Sequence, residues 1–405
     1  MKTKILFISC LFLSGQLVGK ETPEARAQRV HHEALTIDTH SDTPLNLLND
    51  GFDIARRQDQ AISGTKVDFP RMKEGGLDAQ FFAVFVGQGP RTAEGDASAK
   101  KKALDIREAV IRCVDKNPEL AAIALNPDDA YRLKKEGKRA IFLGLENGYA
   151  LANDITMVKK FYDLGVRYIT LCHTANNDIC DSSTEKTKGA EHGGLSPFGR
   201  EVVKEMNRLG MMVDVSHISD DSFRDVVSLS RFPIIASHSC ARAVCDHPRN
   251  LTDEDLHLLA KNGGVIQMCF LSDYVKKADP NPARDSAMVV VRAKYNDFQG
   301  LSEDKLKEAR KEYREVSKRY PNKLATVQDM VDHIDHIVKV IGIDYVGIGT
   351  DFDGGGDLSG CRDVSQMENV TLELVKRGYS DKDIKKIWGG NFMRVFAAVQ
   401  KASGK

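Results

Sequence analysis

Residues 210–238 read GMMVDVSHISDDSFRDVVSLSRFPIIASH, and this stretch decides the fold. It begins with an apolar, β-rich run that ends at His217 and continues through residues 219–230 with helical periodicity. A second apolar run then closes at His238. Near-continuous apolar runs are typical of strands that are buried on both faces of a parallel sheet. The stretch therefore predicts one strand–helix–strand unit with a polar residue at the end of each strand.

The same unit extends in both directions along the chain. Apolar runs of this kind predict eight strands, at residues 34–40, 77–86, 139–146, 166–173, 210–217, 233–238, 264–270 and 345–351. Helical periodicity lies between them at residues 97–115, 154–164, 197–209, 219–230, 252–262 and 325–341. This alternation predicts an α/β fold, a (β/α)₈ TIM-like barrel. A doubly wound sheet is the alternative, and it is disfavoured because no Gly-rich phosphate loop follows the first strand.

A long insertion lies between the seventh and eighth predicted strands, over residues 271–344. It includes Leu301–Tyr320, which reads LSEDKLKEARKEYREVSKRY and is densely charged. We interpret this segment as a solvated helix with i,i+4 ion pairs, and a lid or a dimer contact is the alternative. Because no internal repeat or low-complexity linker divides the chain, residues 24–405 are predicted to form a single domain.

Residues 1–19 have the pattern of a secretory signal peptide. Two lysines precede an uncharged apolar stretch from Ile5 to Gly19. A membrane-spanning helix needs about 20 apolar residues, so this stretch is too short to be one. Ser9-Cys10 weakly resembles a lipoprotein cleavage site. We expect a secreted or periplasmic protein, with no transmembrane anchor because no second apolar run follows.

The composition is that of a soluble enzyme. The chain has 405 residues, is 41% hydrophobic, and carries 58 Lys+Arg against 58 Asp+Glu. That apolar content excludes global disorder. The neutral net charge lacks the basic excess of a nucleic-acid-binding protein, so we expect a small-molecule or protein partner. The cysteines show no regular frame, which predicts buried thiols with a few pairs at most and no structural zinc.

Polar residues with metal-binding chemistry follow most of the predicted strands. They are His40, Asp42, Glu146, His173, His217, His238 and Asp351. In a barrel the carboxyl ends of the strands converge on one face, where active sites lie. Imidazole and carboxylate ligands suit zinc and its neighbours. The set exceeds what one tetrahedral ion can hold, so we expect two ions that share a carboxylate.

Several other polar residues receive a structural interpretation. His31 and His32 precede the first strand and are expected to be exposed. His333 and His336 stand on a predicted outer helix, where surface or packing roles are expected. Two roles are considered for Arg242: it shapes substrate preference, or it forms a structural ion pair.

Seven motifs, in order along the chain, carry a resemblance to a known family. They are His40-Ser-Asp42-Thr-Pro44, Gly144-Leu-Glu146-Asn-Gly148, Leu171-Cys-His173, Val213-Asp-Val-Ser-His217, Ala236-Ser-His238-Ser239, Arg249-Asn250 and Gly347-Ile-Gly-Thr-Asp351-Phe-Asp-Gly354. Over about residues 30 to 400 the chain resembles the membrane (renal-type) dipeptidases, zinc-dependent peptidases of the amidohydrolase superfamily.

The resemblance implies hydrolysis of dipeptides, L,L and L,D, at a site with two zinc ions in a (β/α)₈ barrel. It implies the following roles: His40 and Asp42 on one ion, His217 and His238 on the other, Glu146 bridging, His173 contacting the scissile carbonyl, Asp351 shuttling protons, Arg249 binding the substrate carboxylate, and Tyr274 contacting substrate. A hydroxide shared by the ions would be the nucleophile. Family members are often homodimers.

The sequence departs from the family at its cysteines. Ala175 stands where vertebrate relatives have a cysteine, and lysines (Lys276, Lys277) replace the expected partner of Cys245, so neither disulfide is predicted. Another hydrolase of the superfamily, D-aminoacylase-like or lactonase-like, is one alternative. The His-x-Asp motif at His40 and the glutamate at Glu146 argue against it. A non-catalytic peptide-binding homologue is the other, and the complete ligand set argues against that.

Overall fold

The computed structural model describes residues 21–49, 51–185, 189–298, 301 and 303–402. The predicted signal peptide, including Ser9-Cys10, lies outside the described residues, and its prediction stands untested. Within the described residues, every helix is too short or too polar to cross a membrane.

Parallel strands form a nearly closed barrel, which confirms the predicted fold. The strands within the described residues are β1 (Ile37–Ser41), β2 (Ala79–Phe85), β3 (Ala121–Ile123), β4 (Arg139–Glu146), β5 (Val166–Thr170), β6 (Met212–Asp214), β7 (Ile235–Ser239), β8 (Val265–Met268) and β9 (Val346–Ile348). They pair in the order β1-β2-β4-β5-β6-β7-β8-β9, and β3 pairs with β4 outside this path. A single parallel bridge, Ser41 to Phe352, joins the two ends of the path. Each of the eight predicted runs overlaps one barrel strand, with β1 and β7 extending one residue beyond their runs, and β3 was not predicted.

Helices surround the barrel. Those within the described residues are α1 (Pro23–Glu33), α2 (Gln60–Ser63), α3 (Phe69–Glu74), α4 (Ala93–Asp115), α5 (Pro127–Lys135), α6 (Thr156–Asp163), α7 (Pro197–Leu209), α8 (Asp220–Leu229), α9 (Asp253–Asn262), α10 (Ser272–Val275), α11 (Pro282–Lys294), α12 (Glu303–Arg319), α13 (Val327–Ile341), α14 (Glu368–Lys376), α15 (Asp381–Lys385) and α16 (Asn391–Ala402). Hydroxyl side chains cap the amino ends of α8 and α9, where Ser219 and Thr252 accept from backbone amides. Gly210 and Gly263 end α7 and α9 in the left-handed conformation that glycine adopts readily.

The insertion between β8 and β9 divides into two parts. Its last helix, α13, packs on α9 and on the barrel, and is one of the repeating barrel helices. α11 and α12 pack together around Val291, Tyr295 and Ala309, a small apolar cluster of their own. The charged helix α12 forms as predicted; Lys305 pairs with Glu308 at i,i+3 along it, and Glu312 pairs with Lys294 of α11.

The prediction that both histidines of the first helix are exposed is wrong for His31. Its ring is fully buried, with Nδ1 2.7 Å from Thr371 Oγ1 and Nε2 2.9 Å from the Gly75 carbonyl oxygen. Trp388 packs against it edge-on at 4.8 Å between ring centroids. Helix α1 turns this side chain inward against α14, whereas His32 is exposed. Both histidines were expected to be exposed because they precede the first barrel strand in the sequence.

Burial gives His31 a pH-dependent effect on stability, because it lowers the pKa of the imidazole to about 4. The unfolded chain binds this proton near pH 6.5, so stability falls as pH drops through that value. We expect proton uptake by His31 in the unfolded chain to lower the free energy of unfolding by about 2 kcal/mol when the pH falls from 7.5 to 5. Urea unfolding of wild type and His31→Gln at the two pH values measures it. His32→Gln is the control, and a wild-type-like pH loss in His31→Gln would refute the assignment.

His333 and His336 have structural roles, as predicted. His333 is buried, with Nδ1 accepting from the Ala241 amide at 3.1 Å and Nε2 2.8 Å from the Val275 carbonyl oxygen. His336 lies 2.7 Å from a carboxylate oxygen of Asp253. The cysteines among the described residues are all free thiols, so the expectation of a few pairs is not met there.

Candidate metal centre

The carboxyl ends of the barrel strands bring the predicted ligands to one face. His40 lies in β1, Glu146 is the last residue of β4, and His238 lies in β7. His217 and Asp351 each follow a strand by three residues, counted from the ends of β6 and β9. Parallel strands present their carboxyl ends on the same side, so residues far apart in sequence converge.

Glu146 is at the centre of this cluster. Its side chain is 3% exposed, and four imidazole rings face its two oxygens. Oε1 lies 3.2 Å from His217 Nε2, 3.7 Å from His238 Nε2 and 3.8 Å from His173 Nε2. Oε2 lies 3.3 Å from His40 Nε2. One carboxylate thus reaches every histidine that the sequence placed in the site.

The donor atoms fit a divalent metal. His40, Glu146 and His238 form one group whose ligand atoms lie within 4.8 Å of one another, and Glu146, His173 and His217 form another. The Nε2 atoms of His217 and His238 are 2.9 Å apart. Within the described residues, the buried His40 Nε2 and Asp42 Oδ1 have no hydrogen-bond partner. Buried polar atoms without partners are costly, and a cation between them would satisfy them.

The charges of the cluster also favour a cation. Burial raises the pKa of Asp351 to about 7, and the nearby Glu146 carboxylate adds to the effect. The pKa of Asp42 is raised by burial and again by Glu146. Burial lowers the pKa of His173 to about 4 and holds those of His217 and His238 well below the usual value. His40 differs: burial lowers its pKa, but the carboxylates of Glu146, Asp351 and Asp42 outweigh that effect and raise it to about 10. Zinc binds neutral imidazoles and carboxylates, so a bound cation would take the place of the His40 proton.

Asp351 is held by a glycine-rich turn. Its φ is 59°, and its carbonyl oxygen accepts from the amides of residues 354, 355 and 356. A Cβ on Gly354 would lie 2.1 Å from Asp351 Oδ1 and 2.8 Å from Asp42 Oδ2. Glycine is therefore required at 354 because the turn packs directly against two carboxylates of the site. His217 also has a left-handed backbone, at φ 75°, and such conformations often mark functional sites.

Arg249 and Tyr274 lie beside the cluster. Arg249 is 3% exposed, and its Nη2 donates to the His238 carbonyl oxygen at 3.1 Å. Its guanidinium lies 5.4 Å from the centre of the Tyr274 ring. Its Nε is buried and, among the described residues, has no hydrogen-bond partner. Arg249 is thus a buried cation that is hydrogen-bonded to the backbone of a predicted ligand, His238, and has donors left for an anionic group.

Arg242, which the sequence left open, forms a structural ion pair. Its guanidinium binds Asp220 through two contacts of 2.7 Å and donates from Nε to the Asn250 carbonyl oxygen. These contacts hold the loop after β7 to the start of α8. The loop is the one that carries Arg249.

Three residues beneath the ligands, Tyr168, Ser237 and Asp214, were not predicted from the sequence to support the site. Tyr168 OH lies 3.0 Å from His40 Nδ1, and Ser237 Oγ lies 2.9 Å from His238 Nδ1. Asp214 accepts from Ser237 Oγ at 2.6 Å. The sequence signal was the glycine at 144 inside an apolar strand, which often marks a close approach. In the structure a Cβ on Gly144 would lie 2.1 Å from the Tyr168 ring, so the glycine makes room for the tyrosine.

The barrel and its buried cluster of imidazoles and carboxylates define a class, the metal-dependent barrel hydrolases. Within it, the chain belongs to the membrane dipeptidase family, peptidase family M19, whose model matches residues 24–405. It is a metallo-dipeptidase. The family resemblance drawn from the motifs is confirmed.

Known relatives agree with this assignment. The chain is 32% identical to "Dipeptidase 3" of Macaca fascicularis over 93% of its own length and 67% of that protein. It is also 32% identical to the probable dipeptidase PvdM from Pseudomonas aeruginosa, with a TM-score of 0.82, covering 94% of this chain and 99% of that one. A metallo peptidase from Rhodobacter sphaeroides, solved with a phosphinate mimic of L-Ala-D-Ala, shares the fold at 22% identity and a TM-score of 0.71, over 90% and 99% of the chains.

Proposed function

We propose that the protein is a dipeptidase that uses two zinc ions, with Glu146 bridging them. His40 and Asp42 would hold one ion, and His217 and His238 the other. The observation that carries the proposal is the position of Glu146, whose separate oxygens face His40 on one side and His217 and His238 on the other. When bound, the ions would polarise the scissile carbonyl and lower the pKa of water towards neutrality.

His173 is the residue proposed to contact the scissile carbonyl. Its ring lies 4.7 Å from that of Phe85 and 4.2 Å from that of His217, counted between centroids, which fixes its orientation. It is the most exposed of the site histidines, with 22% of its side chain accessible. A group at the mouth of the site, rather than beneath it, is suited to contact the substrate. The grouping of His173 with Glu146 and His217 also fits a metal, and zinc reconstitution of the metal-free protein counts the bound ions.

Asp351 is proposed to move the proton. The attacking water must lose a proton and the leaving amine must gain one, so one carboxylate of intermediate basicity can serve both steps. Burial raises the pKa of Asp351 to about 7, which suits this exchange. Its turn places it against Asp42 and close to His40, whose carbonyl oxygen accepts from the Asp351 amide at 3.1 Å.

Arg249 is proposed to limit the substrate to two residues. Its guanidinium is bound to the carbonyl of His238, so a carboxylate held by Arg249 lies close to the metal ligands. Only a short peptide can reach both the arginine and the reacting centre at once. Tyr274, packed on the guanidinium and on the His247 ring, would contact the same part of the substrate. A guanidinium binds a carboxylate through two parallel hydrogen bonds.

Arg249→Lys tests this role. We expect kcat/KM for a dipeptide to fall about 10- to 100-fold, because a charged hydrogen bond is worth about 1.5–3 kcal/mol. The wild type should discriminate strongly against the same dipeptide with an amidated carboxyl end, and the variant should lose most of that discrimination. Steady-state kinetics on the acid and amide substrates measures both. Equal losses on the two substrates would contradict carboxylate recognition.

A substrate panel tests the proposed reaction. The panel contains L,L-dipeptides, L-Ala-D-Ala, N-acyl D-amino acids and lactones, each with the same zinc-loaded preparation. We expect hydrolysis of both dipeptide classes, since the carboxylate clamp constrains the second side chain little. L-Ala-D-Ala is included because its phosphinate mimic is bound by a protein of the same fold. Preferred hydrolysis of N-acyl amino acids or lactones would favour the alternative superfamily hydrolases, and no hydrolysis would favour the non-catalytic homologue.

We further propose export from the cytoplasm and a homodimer. Export follows from the pattern of residues 1–19, and the dimer from the family resemblance. Cell fractionation with amino-terminal sequencing of the mature protein tests the first, and light scattering of the purified protein tests the second.

A further inference from the structure

We infer that two separate hydrogen-bonded supports in the barrel interior orient two of the proposed metal ligands. Tyr168 supports His40, and Ser237 together with Asp214 supports His238. Each support therefore serves a different one of the two ions. The inference rests on the proposed two-zinc function. It concerns positioning residues that lie below the ligands and away from the substrate.

The Tyr168 hydroxyl fixes the tautomer of His40. The hydroxyl has a single proton, and it donates that proton to the Thr39 carbonyl oxygen at 3.1 Å. A carbonyl oxygen can only accept, so the Tyr168 oxygen must accept from His40 Nδ1, 3.0 Å away. Nδ1 therefore keeps its proton, and Nε2 is the nitrogen that gives up its proton and offers a lone pair when a metal binds. That Nε2 is the atom that faces Glu146.

The second support reaches the same result with a carboxylate. Asp214 accepts from two backbone amides, those of Ser216 at 3.1 Å and Ser237 at 2.8 Å. It also accepts from the hydroxyls of Thr170 at 2.5 Å and Ser237 at 2.6 Å. Because Ser237 gives its proton to Asp214, its oxygen accepts from His238 Nδ1 at 2.9 Å. His238 Nε2 is then the free ligand atom, on an imidazole whose basicity the carboxylate increases.

The two supports are independent of each other. Tyr168 lies on β5 and its ring packs over Gly144 of β4, whereas Asp214 lies on β6 and Ser237 on β7. Both are fully buried, so solvent does not compete for these hydrogen bonds. His217, the third imidazole, differs: its Nδ1 is buried and has no partner within the described residues. The ion bound through His217 and His238 therefore depends on the Asp214–Ser237 pair, and the other ion on Tyr168.

Zinc titration of the metal-free protein tests the inference. Competition with a chromophoric chelator gives two zinc dissociation constants for the wild type. We expect Ser237→Ala to weaken one of them about 10- to 100-fold and Tyr168→Phe to weaken the other by a similar factor. Ser222→Ala and Tyr379→Phe are matched controls, because each removes a hydroxyl that bonds an oxygen away from the ligands. Wild-type constants in both Ser237→Ala and Tyr168→Phe would overturn the inference while leaving the two-zinc function intact. A wild type that binds fewer than two zinc ions would instead contradict the proposed function.

A second measurement needs no variant. In long-range ¹H–¹⁵N spectra of metal-free wild type with labelled histidine, His238 should be neutral and carry its proton on Nδ1. A purely structural role for Ser237 would not require this tautomer. A proton on Nε2 of His238 would overturn the inference for this support even if Ser237→Ala failed to fold.

Discussion

Asp351→Asn should reduce kcat for dipeptide hydrolysis by about 10²- to 10⁴-fold while leaving the zinc content unchanged. The amide keeps the size of the carboxylate but cannot take or give the proton that the reaction needs. It also leaves the backbone of the turn in place, where the Asp351 carbonyl oxygen accepts from residues 354–356. Steady-state kinetics and elemental analysis of the same sample measure the two effects.

Asp353→Asn is the matched control for this prediction. Asp353 stands two residues further along the same turn, and its carboxylate accepts from Thr43 Oγ1 at 2.7 Å and the Lys66 amide at 2.8 Å. We expect this variant to keep zinc and most of its activity. If Asp351→Asn loses zinc together with activity, Asp351 is a ligand or a structural residue and the proton-shuttle role is wrong.

Glu146→Gln should lose both zinc ions, and its activity at stoichiometric zinc should be at least about 10³-fold below that of the wild type. Metal catalysis supplies several kcal/mol of transition-state stabilisation, and each 1.4 kcal/mol is tenfold in rate. The amide retains only one ligand oxygen, whereas both carboxylate oxygens of Glu146 face histidines. Zinc content after desalting, and activity with and without added zinc, measure the loss.

Asp255→Asn is the control for Glu146→Gln. Asp255 is also fully buried, but its carboxylate lies on α9 and accepts from Thr252 Oγ1 at 2.7 Å, away from the site. Circular dichroism of both variants checks that the fold persists. Retention of two zinc ions by a folded Glu146→Gln protein would exclude Glu146 as the bridge.

The barrel and most of its site could be predicted from the sequence because both follow from simple patterns. A strand buried on both faces must be apolar, so polar ends such as His217 and His238 stand out in the chain. Since parallel strands converge at their carboxyl ends, recognising the strands was enough to bring the ligands together. In the structure the Nε2 atoms of His217 and His238 lie 3.2 Å and 3.7 Å from one carboxylate oxygen of Glu146.

The supporting residues could not be predicted in the same way. Tyr168 and Asp214 lie inside apolar runs; Gly144 indicates a close approach in its strand, but the sequence does not say which side chain occupies that space. Tyr168 contacts His40 and Asp214 contacts Ser237 only because of the register between strands that are distant in sequence. His31 was misjudged for a related reason: its burial is created by Thr371 and Trp388, more than three hundred residues away.

Zinc reconstitution of one chelator-treated preparation tests the central claim most directly. Dipeptide hydrolysis is followed as zinc is added back in known equivalents, with metal analysis at each step. We expect no activity in the metal-free protein and full recovery when two equivalents have bound. Full activity in a preparation shown to be metal-free, or full recovery at one bound equivalent, would contradict the two-zinc mechanism.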